Sequence, residues 1–254
     1  MPILTESQIR DLIRQPQPGM TLTVAPGTRL SPAAQDFVNH WKLEVQVGTP
    51  PTEDEPAVWD KPAAFPVQVT GETPICSVCG MPVSIKPEHM TQLDAVHYAP
   101  KNIPRIRLRG KLDTLQGLCL LIGARARAQG CPALAEYLDT LAAYCREMMS
   151  AEYNDRPVAS LALGDVDENE IHKATHEPEE VLGIPHLVPT SHDPELLHWL
   201  NVLRCESREV ELVALDAFAS GPDYRVAQPA LVRAVNRFSS AVYYVELRYM
   251  AGKL

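Results

Sequence analysis

Apolar residues recur every three to four positions through most of the chain after residue 100. This spacing predicts helices at about 104–129, 131–151, 193–219 and 227–251, with a shorter helix near 167–177. Strand-like alternation is almost absent from the same part of the chain. Because long amphipathic helices bury their apolar stripes against one another, we predict an all-α helical bundle of about five helices over residues 101–254.

The first 47 residues show a different pattern, in which short helical and alternating segments follow one another. A helix is predicted after Thr5, a strand in "MTLTVA", a helix that begins at the Ser31 cap with Pro32 behind it, and a strand in "LEVQVG". These elements predict a small N-terminal α/β module over residues 1–47.

Residues 48–100 are predicted to connect this module to the bundle. The first part, from Gly48 to Pro74, is rich in prolines, which lack a backbone donor, and in acidic residues, which resist burial. The second part begins with the cysteine pair of "CSVCG". We therefore expect a Pro-rich linker or draped segment followed by a CxxC segment.

Composition narrows the classes of function. The 254 residues are 45% hydrophobic, enough for a sizeable core, and the formal net charge of -9 argues against nonspecific nucleic-acid binding. No stretch has the length and apolar character of a membrane span, and "MPILTESQIRDLIRQ" lacks the layout of a signal peptide. The six cysteines are sparse and are expected to be reduced. We expect a cytoplasmic protein that does not bind nucleic acid nonspecifically.

Three charged residues interrupt the apolar run "LHWLNVLRCESREVELVAL". Arg204, Arg208 and Glu211 are spaced so that they share one helix face. They either form Arg–Glu pairs at the edge of an ordinary amphipathic helix, or face the interior of the bundle and hold an anion such as a polyphosphate. Polar residues within two other apolar helices favour the second interpretation: Arg105, Arg107, Arg109, Lys111 and Asp113 in one, and Asn236, Arg237, Ser240 and Tyr243 in the other.

Four motifs occur together in one order: "PRIRLRGKLDTL", an "HLVP" loop, R-x3-R-x2-E in "LRCESREVE", and "NRFSSAVYYVELRY". Together they resemble the ATP:cobalamin adenosyltransferases of the propanediol-utilisation type. The ethanolamine-utilisation type is more similar, since it shares "HLVP…SH", "NRxSSxVY", an "LSPAA"-like helix start and a CxxC ahead of the bundle. The resemblance spans most of the chain.

This resemblance implies an enzyme that transfers the 5′-deoxyadenosyl group of ATP to the cobalt of reduced cobalamin, in support of ethanolamine catabolism. Mg²⁺ would accompany ATP, and adenosylcobalamin and triphosphate would be the products. A homo-oligomer is implied, with a trimer favoured over a dimer, in the cytoplasm or associated with a bacterial microcompartment. The alternative is a non-catalytic cobalamin- or metal-binding carrier on the same helical scaffold.

The resemblance also assigns roles to individual residues. It implies catalytic roles for Asp113, Arg204 and Arg208, with an Asp113–Arg204 ion pair near a subunit interface and Arg208 at the ATP phosphates. Glu211 would orient the arginines. The predicted cofactor-binding residues are Asn236, Arg237, Glu211, Lys101, Arg105, His186 and Val188.

Two departures from the family pattern leave alternatives open. The Thr-Gly-Asp-x-Gly phosphate-binding turn of the propanediol type is missing, and the basic cluster from Arg105 to Lys111 is either its substitute or a solvated stretch. His186 stands where the family has a Phe that helps exclude the lower axial ligand of cobalt. It would pack over the corrin, ligate cobalt, or be structural, in which case Leu187 and Val188 supply the apolar wall.

The CxxC segment carries the predicted metal ligands. Two thiolates on a tight turn can reach one ion, so Cys76 and Cys79 make half a site, and His89 and His97 are predicted to complete it with Zn²⁺ or Fe²⁺. A redox thiol pair and ordinary reduced cysteines are the alternatives.

The ethanolamine type carries H-x11-C-C-x2-C, of which the histidine and the first cysteine are replaced here by Ala63 and Ile75. His172 and His176 also have metal-competent spacing, but are predicted to form a polar helix face.

Overall fold

The computed structural model describes residues 3–6, 9, 16, 18–48, 73–220 and 225–254. The chain divides into two compact units, Met1–Glu55 and Pro56–Leu254. The finer division at residues 47 and 100 stays a prediction. Most of the predicted Pro-rich linker, residues 49–72, lies outside the described residues.

The first unit is a small α/β module, as predicted. Its described elements are β1 (Ile3–Leu4), β2 (Thr21–Val24), β3 (Arg29–Leu30), α1 (Pro32–Trp41) and β4 (Glu44–Val47). Strand β1 pairs in parallel with β3, and β2 pairs in parallel with β4. The Ser31 hydroxyl accepts a hydrogen bond from the Ala34 amide at 3.2 Å, so α1 begins at the predicted cap.

The helix predicted after Thr5 is described only at Glu6 and Ile9, which are helical, and its other residues lie outside the described part of the chain. A separate apolar core fills this unit. Its buried residues are Ile9, Leu22, Val24, Ala34, Phe37, Val38 and Leu43.

The second unit begins with a sheet of three short strands that the sequence analysis did not assign. They are β5 (Ile75–Cys76), β6 (Met90–Gln92) and β7 (His97–Pro100), in the order β5-β7-β6. Strand β7 is parallel to β5 and antiparallel to β6. Runs of two to four residues are too short for alternation to be recognised in the sequence.

The helical bundle confirms the predicted fold class. Its described helices are α2 (Pro104–Ala128), α3 (Pro132–Tyr153), α4 (Glu168–His176), α5 (Pro178–Leu182), α6 (Glu195–Phe218) and α7 (Pro229–Met250). Each of the five predicted helices begins and ends within two residues of its predicted bounds. The five-residue α5 and the antiparallel pair β8 (Ala219–Ser220) and β9 (Arg225–Val226) were not predicted.

Residues that favour the start of a helix explain why the helix bounds were predicted accurately. Pro104, Pro132 and Pro229 stand in the first turns of α2, α3 and α7, where a missing N–H removes no helical hydrogen bond. A reciprocal capping box between Asp167 and Glu170 begins α4.

Apolar packing holds the bundle together. Helix α2 packs on α3 and α6, and α7 packs on α6, α4 and α3. The largest fully buried side chains include Leu112, Leu115 and Ile122 on α2, Leu138 and Met148 on α3, and Phe238 on α7. Burying each of these side chains contributes roughly 1.5–3 kcal/mol, so the helices form a firm support for polar side chains at their edges. None of the described helices is long and apolar enough to cross a membrane.

Candidate active site

A pocket of about 490 Å³ opens between α4, α6, α7 and the loop that precedes α6. Its volume lies within the range usual for small-molecule sites. The lining residues are Thr175, His176, His186, Leu187, Arg204, Arg208, Glu211, Asn236, Ser239, Ser240 and Tyr243. Five of the predicted catalytic and cofactor-binding residues lie together in this lining: His186, Arg204, Arg208, Glu211 and Asn236.

The charged face of α6 lies beside the core and not within it. Arg208 is exposed, and the side chain of Arg204 is 29% exposed. The interior of the bundle next to them is formed by apolar residues such as Leu203 and Val210. The expectation that the arginines face the bundle's interior is therefore wrong, because a guanidinium loses too much hydration in an apolar core.

Arg204 is held from two sides by α7. Its guanidinium lies over the ring of Tyr243, 4.2 Å from the centroid, in a cation–π contact. Its Nη1 atom is 4.0 Å from Oε2 of Glu246. These contacts fix the arginine at the wall of the pocket while leaving part of its charge open to a ligand.

Glu246 is a fully buried carboxyl behind Arg204. Neither of its oxygens has a hydrogen-bond partner among the described residues. Burial raises the pKa of Glu246 to about 8, and Arg204 offsets only part of that rise. The residue therefore carries its proton near neutral pH and leaves the charge of Arg204 largely uncompensated.

The remaining polar groups of the pocket form a short network. Asn236 donates from Nδ2 to Oε1 of Glu211 at 2.7 Å, which joins α7 to α6. Arg208 makes no ion pair or hydrogen bond within the described part of the chain. The pocket thus combines one braced cation, one open cation, a carboxylate and an amide, a set suited to a polyphosphate.

The loop wall of the pocket is tied to α7 by Tyr243. The hydroxyl of Tyr243 accepts a hydrogen bond from the backbone N–H of Leu187 at 3.1 Å and lies 3.1 Å from Nδ1 of His186. Val188, predicted to contact the cofactor, lies in the same loop and is 83% exposed.

Other predicted residues lie outside the pocket lining. Arg237 faces Glu168 on α4, with Nε 3.3 Å from Oε1. Lys101 is exposed. Nε of Arg105 donates to Glu152 of α3 at 2.5 Å, and these contacts give no support to a nucleotide role for Arg105. The cofactor-binding roles of all three residues stay predictions.

Asp113 is exposed on α2, and the carboxyl that Arg204 faces, at 4.0 Å, is that of the buried Glu246. The predicted Asp113–Arg204 ion pair is therefore not formed within the described part of one chain. It stays a prediction for two copies of the chain.

The CxxC pair lies at the turn that follows β5. Gly80, at a φ of +71°, closes the turn by donating from its N–H to the carbonyl of Cys76 at 2.8 Å. Hydrogen bonds from the backbone amides of Cys79 and Val78, and from the Cys79 thiol, lower the pKa of the Cys76 thiol. The pair is therefore predisposed to form thiolate.

The two histidines predicted to complete the metal site do not join this pair. His89 is exposed, and Nδ1 of His97 is bound by Asp94 at 2.8 Å. No group of three His, Cys, Asp or Glu side chains in the described ranges could hold a metal ion. The four-ligand site of Cys76, Cys79, His89 and His97 stays a prediction.

Sequence reasoning gave no role to two residues of α7 that define the pocket. Tyr243 was recognised as polar but not as a link between loop and arginine, and Glu246 was not considered. Both continue the helical spacing that begins at Asn236 and runs through Ser239 and Ser240, so that periodicity was the available signal. His176 was interpreted as part of a polar helix face.

Comparison with protein families matches residues 84–249 to the cobalamin adenosyltransferase family. The chain is 27% identical over 229 residues to the corrinoid adenosyltransferase EutT of Salmonella typhimurium, which covers 89% of this chain and 84% of the relative. It is 30% identical over 168 residues to the corrinoid adenosyltransferase EutT of Escherichia coli K12, which covers 66% of this chain and 61% of the relative. No solved structure matches significantly.

The family match extends over more than half of the chain and includes every residue that lines the pocket between α4, α6 and α7. Neither the family nor the relatives favour the alternative of a non-catalytic carrier. The chain belongs to the cobalamin adenosyltransferase family.

Proposed function

We propose that the pocket between α4, α6 and α7 is the site where this adenosyltransferase binds ATP and transfers its 5′-deoxyadenosyl group to reduced cobalamin. The observation that carries the proposal is the convergence of Arg204, Arg208, Glu211 and Asn236 on one pocket. A local pair of arginines suits a polyanion in a chain whose formal net charge is -9.

The transfer forms a cobalt–carbon bond with the electron pair of the reduced cobalt and breaks the bond between C5′ and the triphosphate oxygen. Triphosphate leaves with that second electron pair, so negative charge builds up on the leaving group. Arg208 has no ionic partner in the described chain and is free to meet this charge, while Arg204 is held in place by Tyr243. Fixed cations stabilise such a transition state without reorganising.

ATP is expected to arrive as its Mg²⁺ complex. Mg²⁺ prefers oxygen ligands and keeps several of its waters, and it would neutralise part of the triphosphate charge. Glu211 is the carboxylate that lines the pocket, so it is the residue that fits this ion.

The loop before α6 is proposed to contact the corrinoid. Leu187 lines the pocket beside His186, and Val188 exposes 83% of its surface next to them. An exposed apolar side chain at the rim of a polar pocket suits the apolar face of a flat macrocycle.

A homo-oligomer is proposed, with a trimer favoured over a dimer and Asp113 near the subunit interface. Four exposed apolar side chains on the packed pair α2 and α6 support a contact with another copy: Leu120, Leu121, Val202 and Leu212. Light scattering should report more than one chain per particle, and Asp113→Arg should weaken assembly and raise the KM for ATP. A fully active monomer would contradict this arrangement.

The Cys76 and Cys79 thiols are proposed as two ligands of Zn²⁺ or Fe²⁺. The described residues do not complete such a site, so no step of the transfer is assigned to this metal. Metal analysis of anaerobically purified protein should find a transition metal that is lost in Cys76→Ser and Cys79→Ser variants. The same content in wild type and variants would exclude the cysteines as ligands.

From the resemblance we further propose that the product serves ethanolamine catabolism in the cytoplasm. Association with a bacterial microcompartment is the alternative.

The central experiment compares Arg208→Ala with Arg127→Ala, an exposed arginine that bonds Asp139 elsewhere in the bundle. Each protein is incubated anaerobically with ATP, Mg²⁺ and chemically reduced cobalamin, and the absorbance change of cobalt–carbon bond formation is followed. Arg208→Ala should lower kcat/KM by roughly 100- to 1,000-fold, as for loss of a leaving-group contact. Arg127→Ala should leave it unchanged.

Wild-type kinetics in Arg208→Ala would refute the role of this arginine. Corrinoid binding by the wild type without turnover would refute the enzyme and support the alternative of a non-catalytic carrier.

A further inference from the structure

Tyr243 contacts both walls of the pocket with different parts of one side chain. Its ring lies under the guanidinium of Arg204, and its hydroxyl meets Leu187 and His186 in the loop before α6. The residue itself is only 8% exposed, so these contacts are shielded from solvent. None of the predicted site residues makes a comparable pair of contacts in the described chain.

The hydroxyl of Tyr243 has two hydrogen-bond contacts with the loop. The backbone N–H of Leu187 can only donate, so the hydroxyl oxygen accepts that bond. The hydroxyl keeps its own proton, and Nδ1 of His186, 3.1 Å away, accepts it when the imidazole carries its proton on Nε2. The planes of the His186 and Tyr243 rings are parallel within 1°, and the ring centroids are 6.2 Å apart.

Donation by the Tyr243 hydroxyl requires one form of His186. A ring that accepts at Nδ1 is neutral and carries its proton on Nε2, where no lone pair remains for a metal. Of the roles considered for His186, packing over the corrin agrees with this form, and ligation of cobalt through Nε2 does not.

We propose that Tyr243 is a positioning residue for both substrates: its ring orients Arg204 toward ATP, and its hydroxyl holds the loop and keeps His186 in the Nε2–H tautomer at the corrinoid. The inference rests on the proposed function of the pocket. It predicts that substitutions can remove the two contacts of Tyr243 one at a time, because one needs only the ring and the other needs the hydroxyl.

Two substitutions at this position make that separation. Tyr243→Phe keeps the ring under Arg204 and removes the hydroxyl, so the KM for cobalamin should rise about 3- to 10-fold, as for loss of one hydrogen bond, with the KM for ATP within about twofold. Tyr243→Leu removes both contacts, so the KM for ATP should also rise, by about 3- to 10-fold, and kcat should fall.

Tyr244→Phe is the matched control. Tyr244 is the next residue on α7, is equally buried, and its hydroxyl accepts a hydrogen bond from Arg248 at 2.9 Å outside the pocket lining. Its loss removes the same chemical group from the same helix, and both KM values should stay at wild-type levels.

A second readout does not depend on turnover. Side-chain ¹⁵N shifts of labelled histidines, with His186 assigned by the loss of its signals in His186→Gln, should show the Nε2–H tautomer in the wild type. A tautomer mixture should appear in Tyr243→Phe and not in Tyr244→Phe. A merely structural role of Tyr243 would not move this signal.

The inference is overturned if Tyr243→Phe leaves the KM for cobalamin and the His186 shifts unchanged, or raises both KM values equally. That failure is distinguishable from failure of the proposed function, in which the wild type does not turn over or Arg208→Ala has wild-type kinetics. A wild-type protein that does not turn over would contradict both the proposed function and this inference.

Discussion

Two R-x3-R pairs of this chain have the same spacing and opposite surroundings. On α2, Nε of Arg105 and Nε of Arg109 each lie 2.5 Å from a carboxylate oxygen of Glu152, a fully buried residue of α3. On α6, Arg204 is 4.0 Å from the equally buried Glu246 of α7. Its neighbour Arg208 has no ionic partner among the described residues.

The difference lies in the reach of the buried carboxylate. Two short charge-assisted bonds leave the α2 pair closed, and Arg109 is fixed further by the backbone carbonyls of Gln92 and Leu93 near β6. The α2 pair therefore holds the three-stranded sheet segment to the bundle. On α6, Arg208 remains open and Arg204 has no short bond to a carboxylate, so this is the pair with charge left for a phosphate group.

The largest effect is expected from removing the carboxylate of the closed pair. Glu152→Ala leaves two partly buried guanidinium groups without their partner, so the free energy of unfolding should fall by about 3–5 kcal/mol. Urea denaturation followed by circular dichroism measures this loss. A loss below about 1 kcal/mol would mean that the closed pair does not support the fold.

Arginines of the closed and open pairs should differ in their effects on stability and on activity. Arg109→Ala removes a charge-assisted bond to buried Glu152 and should lower the free energy of unfolding by about 1.5–3 kcal/mol, while Arg208→Ala should change it by less than about 0.5 kcal/mol. The KM for ATP should respond in the opposite order. Equal effects of the two substitutions on both quantities would erase the distinction between closed and open pairs.

A pH-dependent effect is expected at Glu246. Its pKa rises from an ordinary 4.5 to about 8 in the folded chain, so the folded state binds the proton more tightly than the unfolded state. Its contribution to stability is full below about pH 4.5 and is lost as pH rises through about 8.

Glu246→Gln has no such titration. Its free energy of unfolding should equal that of the wild type near pH 5 and exceed it by roughly 1–3 kcal/mol near pH 8.5, because the wild type must then ionise a buried carboxyl. Denaturation at several pH values measures the difference. A difference independent of pH would show that Glu246 does not titrate in this window.

The smallest effect is expected at a partly exposed ion pair that joins α2 and α6. Nζ of Lys111 on α2 is 3.5 Å from Oε2 of Glu206 on α6, and both side chains are nearly 40% exposed. Lys111→Ala should change the free energy of unfolding by less than about 0.5 kcal/mol. A rise in the KM for ATP in this variant would revive the basic cluster of α2 as the substitute for the phosphate-binding turn.

The helices and most of the pocket were predictable because their signals are local. Periodic apolar residues locate the long helices, with Pro104, Pro132 and Pro229 near three of their starts. The spacing of Arg204, Arg208 and Glu211 places them on one face of α6, which lines the pocket. The strands β5 to β7 were missed because two to four residues gain their order from pairing with distant segments. The sequence around Arg105 and the predicted metal histidines does not indicate which side chains of other elements contact them.

The sequence by itself determined the class of the fold, the bounds of its long helices and the helix faces that bear the charged residues, since each follows from spacing along a single element. Only the tertiary structure decided which arginines are open, that Tyr243 joins the loop to Arg204, and that burial raises the pKa of Glu246 behind it. These properties depend on distances between elements and on the water that packing excludes, and neither is present in any one segment of the chain.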